Sequence, residues 1–102
     1  MTDQGPQERT GSDVVRMRAW VHGYVQGVGF RWWTRARALE LGLVGSAANQ
    51  RDGRVLITAE GERTACQALL DQIDAGKSPG QVDTVVTDWE PPRGDLTGFV
   101  ER

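Results

Sequence analysis

The strongest constraint on the fold is a change of hydrophobic period between residues 17 and 41, with three glycines at the point of change. Met17, Ala19 and Val21 share one parity, and Arg18, Trp20 and His22 share the other. That two-residue repeat predicts a strand with one buried face. Phe30, Trp33, Thr34, Ala38 and Leu41 then fall on one face at helical spacing, in a stretch without Gly or Pro. Arg37 falls on the same stripe, so its stem must lie along the edge with its head in water. Gly42 supplies a helix stop. The linking run Gly23-Tyr24-Val25-Gln26-Gly27-Val28-Gly29 reads as a loop whose backbone takes unusual angles or approaches something closely.

The rest of the chain repeats the alternation. Leu43 to Gln50 is a strand candidate poor in β-branched residues, and Asp52-Gly53 has the composition of a tight hairpin turn. Val55 to Glu60 reads as a strand, with Gly61 separating it from a helix over 62–75. On that helix Cys66, Leu69, Leu70 and Ile73 form the apolar stripe. Gly76 ends it, and Lys77-Ser78-Pro79-Gly80 is a loop. Val82 to Trp89 is a strand, irregular where Val85 and Val86 are both apolar, and Pro91-Pro92 breaks it. Thr97 to Glu101 allows a short fifth strand. The order β-α-β-β-α-β favours an α+β, ferredoxin-like sandwich: an antiparallel sheet with two helices on one face.

With 102 residues the chain is one domain. Residues 1–14, polar and nearly without apolar side chains, read as a disordered tail, and residues 15–102 as the folded domain. No run of 18 apolar residues exists for a membrane span, and the N-terminus lacks the apolar core of a signal peptide. One cysteine, Cys66, makes no internal disulfide. These features predict a cytoplasmic protein, by default a monomer, with no membrane partner.

The formal net charge is −2, which disfavours a general nucleic-acid binder. Its distribution is uneven. Residues 16–54 hold seven Arg against Glu40 and Asp52, whereas residues 55–102 hold four basic and nine acidic residues. A positive half on a mildly acidic chain points to a local anionic ligand rather than a polyanion.

The glycine loop gives that ligand a place. A glycine-rich strand-to-helix turn offers backbone N–H groups with no internal partner, and the helix adds its positive end. Arg31 stands in the first helical turn, where a cation is unfavourable unless an anion is close. Its planar fork of donors suits phosphate oxygens. The alternative is a simple tight turn at Gly27 and Gly29 with Arg31 solvated. Two other phosphate motifs fail. Gly76-Lys77-Ser78 lacks the earlier P-loop glycine, with Asp71 in its place, and Trp32 stands where a dinucleotide loop needs its third glycine. With one His and one Cys, no metal cluster or nucleophile–base set can be assembled.

The string Val25-Gln26-Gly27-Val28-Gly29-Phe30-Arg31 resembles the signature of the acylphosphatase family. Thr34, Ala38, Leu41-Gly42-Leu43, Gly45, Asn49 and Asp52-Gly53 fall at that family's spacing, so the resemblance covers about residues 16–101. It implies hydrolysis of small acyl phosphates, of the acetyl or carbamoyl phosphate type, without metal or cofactor. It further implies that the amides of Val25, Gln26, Gly27, Val28, Gly29 and Phe30 bind the phosphoryl group together with Arg31. Asn49 would orient the attacking water, and inorganic phosphate would inhibit as product. The chain departs from the family where Ser46 replaces a common aromatic and is followed by Ala47-Ala48, thinning the strand that carries Asn49. The loop at Lys77-Ser78-Pro79-Gly80 and the acidic tail depart as well.

The remaining residues have plainer readings. His22 is an outward-facing strand residue, Cys66 fills the core, and Trp20 lies on the open sheet face. Trp32 and Trp33 are expected to pack, and Arg51 and Arg54 to be solvated. Two competing functions share the architecture. One is a non-catalytic anion-binding or regulatory module. The other is a single-stranded RNA reader, which would need aromatics on two adjacent strands, and Val55 to Glu60 has none.

Overall fold

The computed structural model describes residues 13–102; the stretch read as a tail lies outside them as far as residue 12. Seven elements follow in the order β1 (Val14–Tyr24), α1 (Phe30–Glu40), β2 (Val44–Asn49), β3 (Val55–Glu62), α2 (Arg63–Asp74), β4 (Gln81–Glu90) and β5 (Phe99–Glu101). The sheet order is β4-β1-β3-β2-β5. β1 pairs antiparallel with β3 and β4, and β2 antiparallel with β3, while β5 joins β2 in parallel. This is the expected ferredoxin-like sandwich with its fifth strand.

The parity read from the sequence sets the layers. Met17, Ala19, Val21, Ala47, Val55, Ile57 and Ala59 point inward and are almost fully buried. Phe30 and Ala38 of α1, with Cys66, Leu69, Leu70 and Ile73 of α2, complete one continuous core on that face. Trimming a side chain as enclosed as Leu69 to Ala costs about 2–5 kcal/mol, from lost transfer energy and the cavity left behind. Thr34 lies in the same core, its hydroxyl donating to the Phe30 carbonyl one turn back. Arg37 reaches the edge and pairs with Glu40 at 2.7 Å.

Several local expectations need correction. β1 begins at Val14, one residue inside the stretch read as tail, and β3 runs through Gly61 instead of ending before it. The two changes are one event: Val14 and Val15 pair with Glu62 and Gly61, and the ladder carries the glycine. Trp32 does not pack; it is 62% exposed, while Trp33 packs at a tilt against Phe30 with ring centroids 6.2 Å apart. Arg54 stays at the surface as expected, its Nε paired there with Asp52 at 2.7 Å. The double valine of β4 resolves by parity, Val85 packing on the core and Val86 lying exposed opposite Trp20.

Candidate active site

The end of β1 and the start of α1 are joined by five residues, 25–29. Val25 is buried and anchors one end; Phe30, equally buried, anchors the other. Between them the chain must turn sharply, and it does so at Gly27 (φ 75°) and Gly29 (φ 87°). Both angles lie in the left-handed region that only glycine enters cheaply. Gly29 is also the N-cap of α1, and no side chain caps that helix. No hydrogen bond among the described residues takes up the backbone N–H of Gln26, Gly27, Val28, Gly29 or Phe30. The first turn of α1 carries no acidic residue either. The turn thus presents a row of donors at the positive end of a helix dipole.

Arg31 and Asn49 come from different layers and meet at one atom. Asn49 is the last residue of β2 and is exposed. Its N–H donates to the main-chain oxygen of Arg102 at 3.1 Å, and Nη1 of Arg31 donates to the same oxygen. Arg102 is set there by its own N–H, which donates to Ala47 at 2.8 Å and prolongs the β5–β2 pairing. The bond to Arg102 uses one of the five guanidinium N–H groups of Arg31 and restricts the rest to a narrow range of directions. The thinned strand at Ser46-Ala47-Ala48 is flanked on both sides, by β3 and by β5.

A second tie crosses the site. The side-chain amide of Gln26 donates to the carbonyls of Gln50 at 2.7 Å and Arg54 at 2.9 Å, both in the turn that follows Asn49. That turn closes through Gln50 N–H to Arg54 at 2.8 Å and Gly53 N–H to Gln50 at 3.2 Å. Asp52 accepts the Arg54 N–H, and this bond holds its carboxyl below the ordinary value. The sequence reading assigns no role in the site to the main-chain oxygen of Arg102 or to the side chain of Gln26. From the sequence, Gln26 enters the site through its backbone amide alone.

Other candidate groups stand apart from this cluster. His22 pairs with Thr84 on β4, and Cys66 is enclosed, its thiol pushed up to about 11 by burial. A cleft of about 330 Å³ between the end of α2 and β4 is bordered by Asp74 and Asp83, the wrong sign for a phosphate, and touches neither Arg31 nor Asn49. Among the described residues no group of three or more His, Cys, Asp or Glu converges as metal ligands, and no helix is long and apolar enough to cross a membrane.

Comparison with known proteins bears on the same segments. The family model described as acylphosphatase matches residues 17–100, from the core of β1 through β5. The chain belongs to the acylphosphatase family. An acylphosphatase of Rhodococcus jostii (strain RHA1) is 70% identical over 87 residues, covering 85% of this chain and 98% of that protein. One of Mycolicibacterium smegmatis (strain ATCC 700084 / mc(2)155) is 57% identical over 102 residues, covering 100% of both. Among solved structures, the acylphosphatase from Coxiella burnetii superposes with a TM-score of 0.80 at 30% identity, covering 94% of this chain and 100% of that one. As an acylphosphatase the chain is an enzyme that hydrolyses acyl phosphates, and the readings as a non-catalytic module or an RNA reader fall away.

Proposed function

We propose that the substrates are small acyl phosphates of the acetyl or carbamoyl phosphate type, cleaved to carboxylate and inorganic phosphate at the turn of residues 25–30. In this reading the N–H groups of Val25 through Phe30 and the free donors of Arg31 bind the phosphoryl oxygens. Asn49 holds a water in line with phosphorus. The leaving group is a carboxylate whose conjugate acid has a pKa of roughly 4 to 5, so it departs without a general acid. Transfer through a loose transition state needs placement and charge stabilisation above all, which backbone dipoles and a guanidinium supply. The proton of the attacking water passes to a phosphoryl oxygen of the substrate. The enzyme works in the cytoplasm as a monomer, and phosphate, as product, competes for the same donors.

The observation that carries this reading is the common hold of Arg102 on Arg31 and Asn49, beside a turn whose amides have no partner among the described residues. The test is hydrolysis of a chromogenic acyl phosphate with a chelator present. Wild type turns over, and Arg31→Ala loses at least about 10²–10³-fold. Asn49→Ala binds phosphate normally and turns over slowly. A full rate for Asn49→Ala removes its role, and a rate abolished by chelator removes the metal-free mechanism.

A further inference from the structure

We propose that the side chain of Gln26 is a positioning residue that sets the separation between the phosphate-binding turn and Asn49; this rests on the roles just proposed for Arg31 and Asn49. The turn 25–29 is anchored at its ends by Val25 and Phe30, but its middle has little to fix it. Gly27 and Gly29 have no side chains, and Val28 is only partly buried. Gln26 is the residue of this turn whose side chain hydrogen-bonds across to the opposite bank of the site, over 24 and 28 residues of chain. It spends both amide N–H groups there, on two carbonyl oxygens. Two carbonyls accept only from the NH2 end of the amide, so the chemistry of the partners fixes which way the side chain points.

The place where it lands gives the tie its significance. Gln50 follows Asn49 directly, and the Gln50 and Arg54 carbonyls each already take one turn hydrogen bond before accepting from Gln26. The end of β2 is thus held from two directions. Arg102 reaches Asn49 from the β5 side, and Gln26 reaches Gln50 from the side of the phosphate-binding turn. Loss of the Gln26 tie leaves the turn its glycine angles and its N–H groups, so phosphate still binds. It frees the distance from bound phosphate to the water that Asn49 holds. In-line attack is sensitive to that distance, and a displacement of about 1 Å can cost about 10²-fold in rate.

Gln26→Met keeps the length of the side chain and removes both donors. Measured as kcat, KM and the inhibition constant of inorganic phosphate, it is expected to lower kcat by about tenfold or more with phosphate inhibition changed by less than about twofold. In an Asn49→Ala background the same change is expected to have almost no further effect, because the group being aimed is gone. Gln26→Glu, with acceptors facing two carbonyls, is expected to lower kcat further and weaken phosphate as well. Thermal unfolding is followed for every variant, and rates are compared well below the lowest midpoint. A Gln26→Met enzyme with a lowered midpoint and full kcat overturns the proposal, as does an equal loss of rate with and without Asn49. If Asn49→Ala alone keeps full activity, the proposed role of Asn49 fails and this one falls with it. A slow Asn49→Ala beside a fully active Gln26→Met removes the Gln26 role only.

Discussion

β1 carries a polar cluster at each end, and the two are built on opposite rules. At its start Arg16 and Glu60 are buried together, with relative side-chain exposures of 8% and 5%. Glu60 accepts from Arg16 Nε, from the Arg93 N–H at 3.1 Å and from the Gly94 N–H at 3.2 Å, and Arg16 Nη2 reaches Asp95 at 2.8 Å. At its other end the turn into α1 offers amide donors that no described residue takes up, beside a guanidinium held by a single main-chain oxygen. A buried polar group is tolerable only when its partners are supplied by the protein. A row of donors with no protein partner is tolerable only where water or a ligand supplies them. The saturated end is therefore a fastening for the segment that leads into β5, and the open end is where an anion belongs.

The contrast is sharpest when one member of each cluster is removed. Glu60→Ala leaves the Arg16 guanidinium buried with only Asp95, and is expected to cost about 3–5 kcal/mol of stability. Urea unfolding measures that loss, while kcat of the protein that remains folded should change little. Arg31→Ala is expected to do the reverse. It should lower kcat/KM by at least about 10²–10³-fold, or about 2.7–4 kcal/mol of transition-state stabilisation, with the unfolding midpoint nearly unchanged. Equal losses of stability from both substitutions would erase the distinction between the two ends.

The fastening also has a pH signature. Burial works to raise the Glu60 pKa, but the Arg93 and Gly94 amides and Arg16 together outweigh it and hold the carboxyl below its ordinary value of 4.5. A carboxyl depressed in the folded state contributes stability that is present above the ordinary value. That stability is lost as pH falls through the folded value. Urea midpoints should therefore decline as pH drops below about 4.5. Glu60→Gln, already less stable at neutral pH, should show a shallower decline. An unchanged slope in Glu60→Gln would mean that other carboxyls carry the acid sensitivity.

Legibility in the sequence followed the range of the interactions. The helices and inner strands were readable because Met17, Ala19 and Val21, or Cys66, Leu69, Leu70 and Ile73, repeat within a few residues. The turn at Gly27 and Gly29 was readable because only backbone geometry demands those residues. What stayed hidden was long-range and polar. Arg16 and Glu60 are 44 residues apart, Arg16 and Asp95 79 apart, and Arg31 and Arg102 71 apart. No local pattern announces such pairs, since nothing near either residue in the sequence names its partner. Gln26 was hidden differently: its position in the motif is visible, but the reach of its side chain depends on where the β2–β3 turn lies in space. Gly61 misled because a glycine punctuates sequence more often than it sits within a ladder, and the pairing with Val15 decided otherwise.

The smallest expected effect probes the open end directly. Most helices gain from an acidic residue in the first turn, by about 0.3–1 kcal/mol, because it answers the positive end of the dipole. The first turn of α1 has none, and Trp32 stands there with 62% of its surface in water. If the charge at this helix end is reserved for a phosphoryl group, a carboxylate added beside it must help the empty protein and hinder the occupied one. Trp32→Glu measured against Trp32→Gln isolates the charge from the lost indole. Without phosphate the Glu variant should be the more stable of the two by a fraction of a kcal/mol. With saturating phosphate the order should shrink or reverse, because the new carboxylate repels the ligand whose binding raises the midpoint. The same stability difference with and without phosphate would mean that the anion binds away from this helix end, and the contrast between the two ends of β1 would lose its functional half.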